Sequence, residues 1–122
     1  MLKKLLPGLV VAATAAALVP ASSASAGGSP VQDCRDALAP NVTGVCFWEG
    51  ENFTGKLDPH PNPLDPDACG NITPAESVVN LTQKRREFYS GPDCDERNSI
   101  GGVEPDGELK GFKYGLAAGS WR

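Results

Sequence analysis

Four cysteines, one histidine and two groups of acidic residues are the side chains here whose types and spacing could do chemistry. The cysteines are Cys34, Cys46, Cys69 and Cys94. An even count with no C-x-x-C pair favours two disulfides over a metal site or free thiols. A structural zinc would need His60, which stands in a proline-rich stretch away from the cysteines. Of the three possible connectivities, Cys34 with Cys46 and Cys69 with Cys94 is favoured, because each bridge then ties a loop to a candidate hairpin. Loops of that size stabilise by about 3 kcal/mol in the chain-entropy account.

A Ser-His-Asp or Cys-His centre would again depend on His60, on a proline loop where rigid placement beside a nucleophile is hard to arrange. The acidic groups, Asp65 with Asp67 and Asp93 with Asp95 and Glu96, lie on turns, where carboxylates are ordinarily solvated. Neither group matches an EF-hand. The patterns H-E-x-x-H, G-x-G-x-x-G and the P-loop are absent. The expectation is a protein that is not an enzyme, with no catalytic residue, no metal and no cofactor.

The chain opens with Lys3 and Lys4, an apolar run over 5–18 and the small-residue site Ala24-Ser25-Ala26. That pattern predicts a secretory signal peptide over 1–26, too short and too broken by Pro7 and Gly8 for a stable anchor. Removing it leaves 96 of the 122 residues and takes two of 11 basic residues but none of 15 acidic ones, so net charge moves from −4 to −6. Such a charge, without a basic aromatic stripe, speaks against nucleic acid. No later stretch is long and apolar enough to span a bilayer. Residues 27–33 are small and polar and are expected to form a flexible arm, with one domain over 34–122, small enough to need covalent staples.

The elements that must position these residues are strands. Cys46-Phe47-Trp48-Glu49-Gly50-Glu51-Asn52-Phe53-Thr54-Gly55 packs β-formers, a turn and a return strand into ten residues, with Trp48 and Phe53 flanking the turn. Gly50 and Gly55 stand where a tight hairpin needs positive φ or close backbone approach. A second copy follows. Phe47-Trp48-Glu49-Gly50 aligns with Phe88-Tyr89-Ser90-Gly91 at an offset of 41, which sets Cys94 opposite Phe53, and Ser77 aligns with Ser120 at an offset of 43. Between the copies, 58–74 carries five prolines and reads as a long surface loop pinned by Cys69. Strands are expected over 77–81, 84–89, 99–103 and 108–114, with a turn at Glu104-Pro105-Asp106-Gly107. Lys84, Arg85 and Arg86 read as a solvated strand edge. Asn41, Asn52, Asn71 and Asn80 each satisfy N-x-T. No helix is required, and the class is all-β.

Trp48-x4-Phe53-x-Gly55 followed by Ser77 resembles the Greek-key signature of βγ-crystallins, in which an aromatic covers a folded hairpin and a later serine ties it down. With Phe88, Tyr89 and the stretch to Cys94, and with the export signal, the chain resembles one secreted branch of that group. This is peptidase inhibitor family I36, actinobacterial secreted metalloprotease inhibitors. The resemblance implies a βγ-crystallin-like sandwich of two Greek-key motifs with two disulfides. It implies an extracellular, monomeric inhibitor whose partner is a protease, most naturally a thermolysin-like metalloprotease. The second hairpin departs from the signature, with Cys94 in place of an aromatic and Glu96 in place of glycine. Asn71-Ile72-Thr73-Pro74-Ala75-Glu76-Ser77 also breaks the calcium-binding spacing of microbial crystallins. Function displacing a packing rule is expected at such a departure, so Asp93, Cys94, Asp95 and Glu96 are chosen as a substrate-like inhibitory loop over the proline-rich segment 58–70. The alternative function is a secreted structural or calcium-binding module with no protease target.

Overall fold

The computed structural model describes residues 29–62 and 68–122. The signal-like leader and the acidic pair Asp65/Asp67 lie outside them. The chain begins with a short helix, α1 (Pro30–Ala37), which corrects the expectation of no helix and takes Pro30, Val31, Gln32 and Asp33 from the supposed arm. Its start is chemically ordinary. Ser29 Oγ accepts from the Gln32 N–H at 3.0 Å, Pro30 supplies a pre-set φ at the first turn, and Asp33 sits beside the positive end of the dipole.

Eight strands follow: β1 (Gly44–Gly50), β2 (Thr54–Pro61), β3 (Gly70–Ala75), β4 (Ser77–Asn80), β5 (Arg86–Tyr89), β6 (Ser99–Val103), β7 (Gly107–Leu109) and β8 (Ala118–Trp121). They form two antiparallel sheets, in the orders β2-β1-β4-β7 and β3-β8-β5-β6. Taking β1 to β4 and β5 to β8 as two halves, both sheets have the same plan. Each holds the second, first and fourth strands of its own half and borrows the third strand of the other.

The proline-rich stretch is shorter as a loop than expected, because β2 continues through Pro59 and Pro61. It can do so because β2 is an edge. Asn62 N–H donates to Thr43 C=O at 2.9 Å, so the two-residue alternation turns the Pro59 and Pro61 nitrogens away from β1. The strand expected over 108–114 ends at Leu109, which pairs with Val78 on β4. Phe112 then turns inward and Lys113–Gly115 forms a 3-10 turn. β8, which periodicity did not isolate, is a central strand.

Alternation on β1 decides where the cores lie. Val45 and Phe47 face the other sheet and join Val78, Phe88, Ile100, Val103, Phe112, Ala118 and Trp121 between the layers. Cys46 and Trp48 face outward, where α1 covers them through Cys34 and Leu38, with Phe53, Val79 and Leu81 completing a second cluster. β1 is therefore buried on both faces, which explains its unbroken run of apolar residues. Two disulfides close the structure, Cys34–Cys46 under the helix and Cys69–Cys94 between the halves, the pairing favoured from the sequence.

Candidate functional site

The two hairpins carry the same device. In the first, Asn52 (φ 57°) and Phe53 (φ 61°) are both left-handed, a conformation costing non-glycine residues roughly 1–2 kcal/mol each. Ser77 holds them there. Its Oγ accepts from the Phe53 N–H at 3.0 Å and donates to the Gly50 carbonyl at 2.6 Å. In the second, Asp93 (φ 65°) and Cys94 (φ 50°) are left-handed, and Ser120 Oγ accepts from the Cys94 N–H at 3.0 Å and donates to the Gly91 carbonyl at 2.7 Å. The aligned serines, 77 and 120, and the aligned positions 53 and 94 therefore do the same work. Gly55 has φ 82°, and a Cβ on Gly50 would lie 2.5 Å from Thr54 Oγ1, so the two expected reasons for glycine divide between them.

What fills the hairpin differs. Phe53 packs edge-on against Trp48, ring centroids 5.2 Å apart. Tyr89 stands in the place of Trp48, buried, with the Arg122 guanidinium 5.7 Å over its ring; Cys94 stands in the place of Phe53 and is bonded to Cys69. Asn71 braces the same turn, accepting from the Asp93 N–H at 2.8 Å and donating to the Asp93 carboxylate at 3.2 Å.

The four residues chosen as an inhibitory loop are brought together, but not as an extended strand. Cys94 is 4% exposed and left-handed, and Glu96–Asn98 forms a 3-10 turn, so the Cys94–Asp95 bond is not laid out in the way a protease cleft receives a substrate. Asp95 caps that turn. It accepts from the side chain of Arg97 at 2.7 and 3.1 Å and from the Arg97 N–H at 3.0 Å, and these bonds hold its carboxyl below the usual carboxylate range. Glu96 is exposed and meets Arg122 at 2.6 Å.

His60 is better placed than its proline-rich surroundings implied. It lies on β2, with Nε2 2.8 Å from Asp58 Oδ2 and its ring edge-on to Phe47 at 5.4 Å. Among the described residues no three histidine, cysteine or acidic groups converge to hold a metal ion.

Arg86 is the residue that reading the sequence misplaced most. It is 3% exposed, on a strand flanked by β8 and β6, rather than on a solvated edge. Asn80 is likewise fully buried, so its N-x-T match is part of a polar core. Asn80 Nδ2 donates to the carbonyls of Lys84 (3.0 Å) and Val103 (2.8 Å), its Oδ1 accepts from Thr82, and Thr82 Oγ1 accepts from Arg86 Nε at 2.9 Å. The signal available was the offset of 41, which sets Arg86 on the inward position of Val45.

Comparison of the chain with family models, with curated proteins and with solved structures gave no match.

Proposed function

We propose that this chain is a secreted, monomeric inhibitor of an extracellular peptidase, with thermolysin-like metalloproteases as the favoured target, built as two βγ-crystallin-like Greek-key units. The crystallin-like reading is supported by the repeated serine clasp and by the exchange of third strands between the sheets. Secretion is supported by the leader and by two disulfides, which persist in oxidising compartments.

The observation that carries the inhibitor reading is the bracing of 91–98. The segment is held by Cys69 through a disulfide, by Ser120 through two hydrogen bonds and by Asn71 through two more. A surface fixed before binding loses little conformational entropy on association, which is what a tight protein inhibitor needs. Because Cys94 is left-handed and buried, contact is made by the outer rim of the segment, Asp93 and Glu96 with their neighbours, rather than by a substrate-like strand. The alternative is a structural or calcium-binding module with no protease target; its structural form is favoured by one observation, that the carboxylates of Asp93, Asp95 and Glu96 already have partners in Asn71, Arg97 and Arg122.

Titrating residual activity of a thermolysin-like, a serine and a cysteine protease separates the two. The inhibitor reading expects stoichiometric loss of metalloprotease activity that is relieved in a Cys69→Ser/Cys94→Ser variant. No loss with any enzyme, together with a melting temperature raised by calcium, sinks it in favour of the structural module.

A further inference from the structure

Among the described residues, Arg86 is a buried cation without an anion. Its Nε donates to Thr82 Oγ1 at 2.9 Å and its Nη2 to Asn62 Oδ1 at 2.7 Å, both neutral oxygens, while Nη1 has no partner. The guanidinium lies 5.5 Å from the Trp121 ring centroid, again without a countercharge. The other arginines near it differ: Arg85 pairs with Glu87 and Glu104, and Arg122 with Glu96. An ion taken out of water costs several kcal/mol unless a partner offsets it, and burial pushes the Arg86 pKa down. The first half of the fold fills the same inward position with Val45, so packing alone does not call for a charge.

Beside Arg86 is a pocket of about 330 Å³ lined by Thr43, Asn62, Gln83, Lys84 and Arg86. Among the described residues no acidic side chain lines it, in a chain whose net charge is −4. Its other cation, Lys84, is exposed at the rim, and the three remaining side chains carry hydroxyl or amide donors.

We propose that this pocket is an oxyanion site and that its ligand is a small carboxylate. Arg86 is the fixed anchor, its Nε held by the Asn80–Thr82 network. Lys84 supplies a second charge, and the Thr43 hydroxyl and the amides of Asn62 and Gln83 supply neutral donors. One fixed guanidinium and one solvent-screened ammonium balance the single charge of a carboxylate better than the double charge of a tetrahedral dianion. Nη2 becomes available to the ligand when the exposed Asn62 amide swings off it.

The test follows the Arg86 side-chain ¹⁵N–¹H resonances in the full chain during titration with sodium acetate, then inorganic phosphate, each against sodium chloride at equal ionic strength. A saturable shift with acetate, half complete on the order of 1 to 10 mM, is expected, with a matching rise in melting temperature. Lys84→Ala should weaken binding about fivefold, the effect of one exposed ion pair. Arg86→Gln should abolish it, and if that variant does not fold, the Arg86 resonance and Lys84→Ala decide the matter alone. Absence of a shift with both anions, or an equal shift with chloride, overturns the site, and saturation by phosphate but not acetate overturns the carboxylate assignment. A shift of the Arg86 resonance on changing Asp65→Asn and Asp67→Asn without any added anion identifies an internal partner and overturns it as well.

Discussion

The first and second hairpins share a backbone and a serine clasp but differ in the plug. At position 53 an aromatic fills the fold of the hairpin and packs on Trp48; at position 94 a cysteine fills less space and is bonded to Cys69, just before β3. Around the left-handed pair, the first hairpin is thus held by packing and the Ser77 hydrogen bonds, the second by the Ser120 hydrogen bonds and a covalent tie that spans 25 residues of sequence. The lesson is that the left-handed pair of residues is the common requirement. Either burial of an aromatic or a disulfide can offset its cost. The same contrast runs through the halves as a whole, since Val45 and Trp48 in one are Arg86 and Tyr89 in the other.

The largest effects should come from the aromatic residues of the two cores. Trp121 is 3% exposed and touches Phe47 between the sheets, with ring centroids 6.2 Å apart, while Trp48 lies under α1 in the outer cluster. Truncation of a large buried aromatic costs about 3 to 5 kcal/mol. Trp121→Ala is expected to destabilise at least as much as Trp48→Ala in denaturant titrations, despite being next to the C-terminus. A clearly smaller loss for Trp121→Ala would show that the outer cluster, not the space between the sheets, carries the fold.

Next comes the covalent tie. Opening Cys69–Cys94 by double substitution to serine should cost about 3 kcal/mol and leave Trp48 fluorescence native-like below the melting transition. Alkylation of the native protein without reductant should label no cysteine. If the variant instead loses the Trp48 signal at low temperature, the two hairpins are not independent and the comparison fails.

The serine clasps should give smaller and unequal losses. Ser77→Ala strands the Phe53 N–H in a buried site and should cost about 2 kcal/mol, since an unsatisfied buried donor costs about 1–3 kcal/mol. Ser120→Ala should cost less, because the disulfide still holds Cys94 in place. In the background lacking the Cys69–Cys94 bond the Ser120→Ala loss should rise to match that of Ser77→Ala. A double-mutant cycle measures this, and additivity within error would remove the idea that clasp and bridge share the work.

The smallest expected effect is electrostatic and belongs to the second hairpin alone. Arg97 lowers the Asp95 pKa in the folded state, so any stabilisation from this exposed pair is full above the unfolded carboxylate pKa and disappears as pH falls through the folded one. A carbon-detected NMR titration should find the Asp95 midpoint on the acid side of an ordinary aspartate and moved back toward the ordinary range by Arg97→Ala, which keeps the backbone N–H bond. An unchanged midpoint in that variant would mean that the cap, not the cation, sets the ionisation.

Much of this was legible in the chain itself. The repeat at an offset of 41 placed Cys94 opposite Phe53, the repeat of the serines at an offset of 43 placed the clasps, and an even cysteine count with hairpin-tied loops led to the observed disulfides. These features depend on residues close in sequence or on identity between copies, which a single chain carries. The helix α1 was overlooked although Ser29, Pro30 and Asp33 spell a local start signal. Its eight residues are too few to establish a 3.6-residue period.

What only the tertiary structure decided is which strands are edges and which are interior. Pro59 and Pro61 fit within a strand because β2 has one free side, and Lys84, Arg85 and Arg86 looked like an edge but lead into a strand with neighbours on both sides. Trp121 gained its importance from a central strand only four residues long. Strand order is set by contacts between residues far apart in sequence, chiefly the crossing of β3 and β7 into opposite sheets, and no local pattern records that exchange. The sequence by itself determined the hairpins, the clasps and the bridges; the exchange of strands between sheets decided that Arg86 would be buried, and so whether it meets water or a ligand.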